Sequence, residues 1–204
     1  MNKDSIIEYL ENNLSEKRKI HTYAVRDTAI KLARQYGGSP EKAETAALFH
    51  DMFRGLKGEP LKRAAEELGL EKKYYDNPNL VHSKIAAAVM RRDYGIEDED
   101  ILNAVAYHTT GRAGMSLLEK IIYLADAIEP NRTYPGVEHL RKIAETDLDQ
   151  AVLDSLSGTI DFIKREGLAL DYNTMQARDY LLERKKKHDD SKRNCISCRE
   201  NIGR

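Results

Sequence analysis

Apolar residues recur at helical spacing along almost the whole of this chain, and this constrains the fold more than any other feature. Ile6, Ile7 and Leu10 are spaced i, i+1 and i+4, and residues 25–33 and 117–125 repeat the rule. No segment alternates apolar and polar residues as a half-buried strand would. The spacing therefore predicts an all-α fold, a single bundle of about eight or nine helices.

Glycine and proline residues mark where these helices should end and begin. Gly37 is expected to end one helix, with Ser39 as the N-cap and Pro40 as the first residue of the next. Tyr94-Gly95 should end another helix, and residues 77–79 should precede one. Residues 54–59, 109–114 and 129–136 read as loops because glycine and proline interrupt the pattern there.

Composition excludes several classes of protein. The 204 residues carry a formal net charge of −1, which favours neither a nucleic-acid coat nor a membrane-surface binder. The sequence has no apolar run long enough to span a bilayer, and its charged N-terminus lacks the apolar region of a signal peptide. The two cysteines, Cys195 and Cys198, are too few and too close to the end of the sequence to form the disulfide framework of a small secreted protein. We therefore expect a cytoplasmic protein.

The C-terminal segment differs from the rest of the chain. Residues 184–204 contain eight lysine and arginine residues, three acidic residues and almost nothing apolar. Such a segment cannot bury a core, so we predict one domain over residues 1–183 and a basic, mobile tail over 184–204. A single CxxC at Cys195 and Cys198 is weak evidence for a zinc site, and we treat it as incidental.

The segment LFHDM places an ionisable pair, His50-Asp51, inside what reads as an apolar helix. A second carboxylate, Asp126, lies in the otherwise uncharged run of residues 121–128. A carboxylate buried in such a run costs several kcal/mol unless it is paired or bound to a cation. Three further histidines also occur in or beside apolar helical segments: His21, His82 and His108.

Two interpretations of these residues are open at this point. Any one histidine is more often a satisfied core or surface residue than a ligand, and His50-Asp51 alone could be a buried ion pair. Taken together, neutral imidazoles and carboxylates on separate helices suit divalent Fe, Mn, Co, Ni or Zn. If the helix passes close to the metals, Asp51 can bridge two of them with its two oxygens.

The order of these six residues resembles that of the HD-domain phosphohydrolases. The segments KRKIHTYAVRDTAIKLARQYGGSPEKAETAALFHD, HTTGRAGMSLLEKIIYLADAIEPNRTYPGVEHLR and DLDQAV are similar to the YqeK-like group within that family, over about residues 5–183. The resemblance implies an HD-domain helical bundle that binds two metals, with iron as the implied metal. It also implies symmetrical hydrolysis of diadenosine tetraphosphate to two ADP by a metal-activated hydroxide, and a homodimer.

The resemblance also implies a role for each ligand. The first metal would be bound by His21, His50, Asp51 and Asp126, and the second by Asp51, His82 and His108. This makes Asp51 the bridging and catalytic residue. Two departures from the usual pattern bear on substrate fit: Arg54 stands where many HD proteins have lysine, and Ala86-Ala87 stands where the group often has Gly-Ala.

Several other residues near these ligands are candidates for binding phosphate. Arg112 and Arg132 follow proposed ligands by four and six residues, and a guanidinium fork matches phosphate oxygens. We expect these two and Lys84 to assist catalysis by balancing charge on the leaving nucleotide. The expected substrate-binding set consists of Arg54, Thr109, Thr110, Gly111, Arg112, Glu129 and Arg132.

Two alternatives to this function are open from the sequence. One is a different HD nucleotidase, acting on a nucleoside monophosphate or a guanosine tetraphosphate-type nucleotide. The other is a non-catalytic HD protein that binds a nucleotide and regulates a partner. The complete set of six ligands favours an enzyme, since a binding-only protein would be expected to lose at least one.

Overall fold

The computed structural model describes residues 3–200 except 73, 74 and 76, and the side chains of residue 3 and of 188–200 are outside the described set. Within this part the chain forms ten helices and no strand, which confirms the all-α prediction with slightly more helices than expected. The helices are α1 (Lys3–Asn13), α2 (Glu16–Tyr36), α3 (Pro40–Phe49), α4 (Gly58–Glu67), α5 (Pro78–Tyr94), α6 (Glu99–Ala106), α7 (Leu117–Ile128), α8 (Val137–Ile143), α9 (Leu148–Arg165) and α10 (Tyr172–Glu200).

Most helix ends lie where the sequence signals place them. Ser39 accepts a hydrogen bond from the backbone N–H of Lys42 at 3.2 Å, and Pro40 opens α3. Gly37 ends α2 and Gly95 ends α5, both with positive φ. The predicted loop of residues 54–59 is shorter than expected, because α4 already begins at Gly58.

The core forms around α7, whose residues from Leu118 to Ile128 are mostly buried. α2 and α6 pack directly on α7, α3 packs on α2, α6 and α7, and α9 contacts α7, α8 and α10. A smaller apolar cluster joins α4 to α5 through Leu61, Ala65 and Ile85. This arrangement brings α2, α5, α7 and the ends of α3 and α6 together around one point.

The segment predicted as a tail continues a helix in the described structure. The backbone of α10 runs to Glu200, so position 184 is not the boundary of an element. The mobility of this segment stays a prediction. The CxxC of Cys195 and Cys198 lies among the side chains outside the described residues. None of the helices described is long and apolar enough to cross a membrane.

Candidate metal centre

The His50-Asp51 pair lies just past the end of α3 rather than inside a helix, so that part of the sequence prediction is wrong. Nδ1 of His50 donates to the carbonyl oxygen of Ala47 at 2.6 Å. In a continuing α-helix this carbonyl would accept from the backbone N–H of Asp51. The imidazole thus replaces the backbone N–H as the donor to this carbonyl. The helix α3 ends at Phe49, and His50 and Asp51 lie in the turn that follows.

The other three histidines are also held through Nδ1. Nδ1 of His108 donates to the carbonyl of Val105 at 2.8 Å, and that of His82 lies 3.0 Å from the carbonyl of Pro78. Nδ1 of His21 lies 3.1 Å from Oε1 of Glu129. Because carbonyl and carboxylate oxygens only accept, each Nδ1 carries the proton. Every neutral ring therefore keeps an unprotonated Nε2 for another partner.

These Nε2 atoms converge in two pairs. Nε2 of His21 lies 3.4 Å from Nε2 of His50, and Nε2 of His82 lies 3.2 Å from that of His108. All four residues are buried. Two neutral rings that face each other with lone pairs at such a distance, as His82 and His108 do, cannot satisfy each other, because neither ring has a hydrogen to donate. A cation between the rings satisfies both, so the donor set fits a metal.

Asp51 lies between the two histidine pairs and presents one oxygen to each. Oδ1 is 3.1 Å from Nε2 of His82 and 3.7 Å from that of His108. Oδ2 is 3.6 Å from Nε2 of His21 and 3.8 Å from that of His50. The ligand atoms of each group of three lie within 4.8 Å of one another. We call His21, His50 and Asp51 the first cluster, and Asp51, His82 and His108 the second cluster.

Asp126 adjoins the first cluster from α7. Its Oδ1 lies 3.2 Å from Nε2 of His21. The same oxygen accepts a short hydrogen bond from Nη2 of Arg132, whose Nε also donates to the main-chain oxygen of Asp126 at 2.9 Å. The structure therefore brings all six sequence-predicted ligands together, with Asp126 beside the first cluster as the resemblance implies.

The surroundings set the charges of these groups. Burial lowers the pKa of His50 to about 4 and also lowers that of His82. Burial alone would raise the pKa of Asp51, but the nearby histidines, His50 first, hold it well below its usual range. At neutral pH these two histidines are neutral and Asp51 is ionised, which is the state in which imidazole and carboxylate bind a divalent cation.

His21 is the exception among the histidines. Burial opposes its protonation, but hydrogen bonds to Asp126 and Glu129 outweigh this and raise its pKa. The pKa of Asp126 is lowered although burial acts in the opposite direction, first of all because of its hydrogen bond with His21. Without a metal, a proton on His21 supplies part of the positive charge that the carboxylates require.

One residue of the site is missing from the sequence prediction. Nη1 of Arg18 donates to Oδ2 of Asp51 at 2.6 Å. Arg18 lies one helical turn before His21 on α2, so both side chains reach the same region. The sequence offered no signal that separates Arg18 from its basic neighbours Lys17 and Lys19.

The predicted basic residues lie around the centre in different ways. Arg54 is half-buried, donates to the carbonyl of Pro78 at 3.4 Å and has a pKa lowered first of all by burial. Arg112 binds both carboxylate oxygens of the buried Glu119, each at 2.6 Å. Nζ of Lys84 lies 3.4 Å from the centre of the Tyr107 ring, and the Arg112 guanidinium is 5.3 Å from it.

The HTTGR loop contributes unequally to the site. Oγ1 of Thr109 is buried without a hydrogen-bond partner in the structure, so it has a donor to offer. Oγ1 of Thr110 instead donates to the carbonyl of Gly111 at 2.9 Å. Gly111 has φ +64°, and an added Cβ would lie 3.2 Å from Cβ of Ala177. Backbone conformation and packing therefore explain why this position requires glycine, whether or not it contacts substrate.

Glu129 has a partner that the sequence did not indicate. It was predicted among the substrate-binding residues, yet its Oε1 faces Nδ1 of His21 and its Oε2 accepts from the backbone N–H of Asn131 at 2.6 Å. Nε of Arg132 is more distant, 3.8 Å from Oε1. In this structure Glu129 orients His21.

Fold and site together define a class of protein: an all-α domain in which histidine and aspartate residues from separate parts of the chain form buried clusters that could hold divalent metals. The HD domain family matches residues 18–131. The chain belongs to this HD-domain family, in the group of the symmetrical bis(5'-nucleosyl)-tetraphosphatases that it resembles over nearly their whole length.

Individual relatives cover most of the chain. It is 42% identical over 183 residues to the symmetrical bis(5'-nucleosyl)-tetraphosphatase of Bacillus subtilis, covering 89% of this chain and 98% of the relative. It is 44% identical to that of Halalkalibacterium halodurans, with the same coverage. A solved structure from Clostridium acetobutylicum, described as a predicted HD superfamily hydrolase involved in NAD metabolism, is 45% identical with a TM-score of 0.85, covering 90% of this chain and 98% of that one.

Proposed function

We propose that this chain is a metal-dependent hydrolase that cleaves diadenosine tetraphosphate symmetrically, so that one water and one substrate give two ADP. Relatives with this name share 42% and 44% identity with the chain over nearly their full length. The observation that carries the proposal is the position of Asp51, whose two oxygens face two separate pairs of histidines.

Two divalent metals, iron in our proposal, would be held by the six ligands. His21, His50, Asp51 and Asp126 would bind the first, and Asp51, His82 and His108 the second. Metals in such a pair supply a water nucleophile at neutral pH and neutralise phosphate charge. The chain's own part is to fix the imidazoles through Nδ1 and to exclude bulk water with buried neighbours such as Leu48 and Phe49.

The basic residues would bind the tetraphosphate and balance charge on the departing ADP. Arg132 is anchored beside Asp126, and Arg112 is oriented by Glu119, so both guanidinium groups are restrained before substrate arrives. Lys84 and Arg112 both lie against the ring of Tyr107. Tyr107 directly precedes His108 in the sequence. Arg54 and Thr109 would add donors. Thr110 and Gly111 would act by shaping the loop, and Glu129 would act by holding His21.

The products identify the reaction. Protein prepared without oxygen, with Fe²⁺ or Mn²⁺ supplied, is incubated with diadenosine tetraphosphate and the nucleotides are separated. The proposal predicts ADP as the sole nucleotide product, and ATP together with AMP would contradict symmetrical cleavage. Absence of turnover with any nucleotide would exclude the enzyme and favour a nucleotide-binding regulator.

A second candidate substrate class is another nucleotide. It is favoured by the solved relative that is described as involved in NAD metabolism. The same assay with nucleoside monophosphates, guanosine tetraphosphate and NAD separates the two, because the proposal requires the highest kcat/KM for diadenosine tetraphosphate. A homodimer and a cytoplasmic location are further predictions, which light scattering and cell fractionation would test.

A further inference from the structure

Arg18 occupies an oxygen that a metal in the first cluster needs. Its Nη1 donates to Oδ2 of Asp51 at 2.6 Å, and this is the oxygen that faces His21 and His50. The carboxylate is almost fully buried, whereas the Arg18 side chain is 39% exposed. The guanidinium thus extends from the solvent side of the site onto a ligand atom.

A guanidinium and a divalent cation compete at such an oxygen. Both are attracted to the same lone pairs, and they repel each other across a short distance in a partly buried site. A metal bound by the first cluster therefore weakens the contact between Arg18 and Asp51. Because the side chain is partly exposed, its guanidinium can turn toward solvent without entering the core.

Arg132 provides an instructive comparison on the other carboxylate. It contacts Oδ1 of Asp126, but it also donates to the main-chain oxygen of that residue. Arg132 is thus anchored independently of the carboxylate. For the Arg18 side chain, the hydrogen bond found among the described residues is the one to Asp51, so the position of the guanidinium depends on the charge of the site.

We propose that Arg18 is a phosphate-binding residue that exchanges Oδ2 of Asp51 for a phosphate oxygen when the first cluster holds its metal. The identity of that phosphate as part of a dinucleoside tetraphosphate rests on the function proposed above. The exchange keeps Asp51 neutralised in the empty site and places a bidentate donor beside the metal in the loaded one. Arg18 would then link metal loading to substrate capture.

Two titrations test this exchange without any turnover. Metal-stripped protein is titrated with Mn²⁺ in the absence of nucleotide, and Mn²⁺-loaded protein is titrated with inorganic pyrophosphate. The variants are Arg18→Ala, Arg18→Lys and Lys17→Ala. Lys17 is an exposed cation one residue earlier on α2, so its removal changes net charge equally. Circular dichroism of each stripped protein verifies the helical fold.

Loss of the competing cation should make Arg18→Ala bind Mn²⁺ severalfold more tightly, and loss of the phosphate donor should weaken pyrophosphate binding about tenfold. Arg18→Lys keeps the charge, so its Mn²⁺ affinity should stay near that of the native protein, with an intermediate loss for pyrophosphate. Lys17→Ala should change neither.

Unchanged or weaker Mn²⁺ binding by Arg18→Ala would overturn the exchange, as would unchanged pyrophosphate affinity. An equal effect of Lys17→Ala would also overturn it, because general charge would then explain the result. If the native protein fails to hydrolyse diadenosine tetraphosphate, the proposed function is wrong, yet both titrations still decide the role of Arg18.

Discussion

Oε1 of Glu129 lies 3.1 Å from Nδ1 of His21, although 108 residues separate them in sequence. The contact joins the loop after α7 to the second turn of α2 and directs Nε2 of the histidine toward the carboxylates of Asp51 and Asp126. Carboxylate partners of this kind fix the tautomer of a ligand and raise its basicity.

Glu129→Gln should weaken metal binding at the first cluster. The amide keeps the shape but loses the charge that orients His21, and changes of this kind cost roughly 10- to 100-fold in metal affinity. A Mn²⁺ titration of stripped protein measures the effect. Glu99→Gln is the control, since Glu99 is an exposed carboxylate whose partner, Arg91, is also exposed. Unchanged affinity in Glu129→Gln would contradict the role given to this contact.

Variants of Arg112 and Glu119 should distinguish a structural role of Arg112 from a role in substrate binding. Arg112→Met leaves Glu119 buried and unpaired, so we expect a loss of about 3 kcal/mol in the free energy of unfolding, together with a raised KM. Adding Glu119→Gln removes the unpaired charge and should restore most of the stability. Urea unfolding and steady-state kinetics provide the two readouts.

KM should stay raised in this double variant if Arg112 contacts phosphate. If KM returned to the native value when stability did, Arg112 would act on substrate only through the fold. That result would remove Arg112 from the proposed catalytic set and leave its pair with Glu119 as a structural contact.

Gly111→Ala should destabilise the protein through backbone and packing. The residue has φ +64°, and the new Cβ would lie 3.2 Å from Cβ of Ala177 and 3.3 Å from Cε of Met115. We expect a loss of about 1–3 kcal/mol in thermal or urea unfolding. Gly158→Ala, inside α9 with open space around it, should instead gain roughly 0.5–1 kcal/mol. Equal effects at both positions would contradict this packing.

The metal-free protein should lose stability as the pH falls from 7.5 to 5.5. His50 has a folded-state pKa of about 4, so below the unfolded value near 6.5 a proton binds the unfolded chain preferentially. His50 alone then costs about 1 kcal/mol over this interval. The lowered pKa of His82 adds to the loss, and the raised pKa of His21 opposes it.

Urea unfolding of stripped protein at the two pH values measures this change. His50→Gln should flatten the dependence, because it removes a group whose folded-state pKa, about 4, lies far below its unfolded value. A stability that rises toward pH 5.5 would show that the protonation of His21 dominates the metal-free site.

The sequence predicted the parts of this structure that depend on local patterns. Apolar spacing and cap residues fixed the helical class and ends such as Ser39 and Gly95, and Asp126 stood out because a carboxylate in an uncharged helical run needs a partner. The order of the histidines then indicated candidate metal ligands, and the structure brings these residues together.

The features that the sequence did not predict depend on contacts between distant segments, or on a side chain that takes the place of a backbone hydrogen-bond donor. Arg18 is one of three consecutive basic residues, and only the fold shows that it reaches Asp51. Glu129 reads equally well as a helix-end charge until His21 is found beside it. The apolar pattern continues through His50, so the early end of α3 follows from a hydrogen bond that spacing cannot reveal.

Bridging by Asp51 is the central claim, and metal analysis of anaerobically prepared protein tests it most directly. The native chain should hold about two metals, and Asp126→Ala should keep the second cluster loaded because that site does not use Asp126. Asp51→Ala should fall to about one metal per chain or none, since both clusters lose a ligand. An Asp51→Ala protein that keeps both metals would contradict the account.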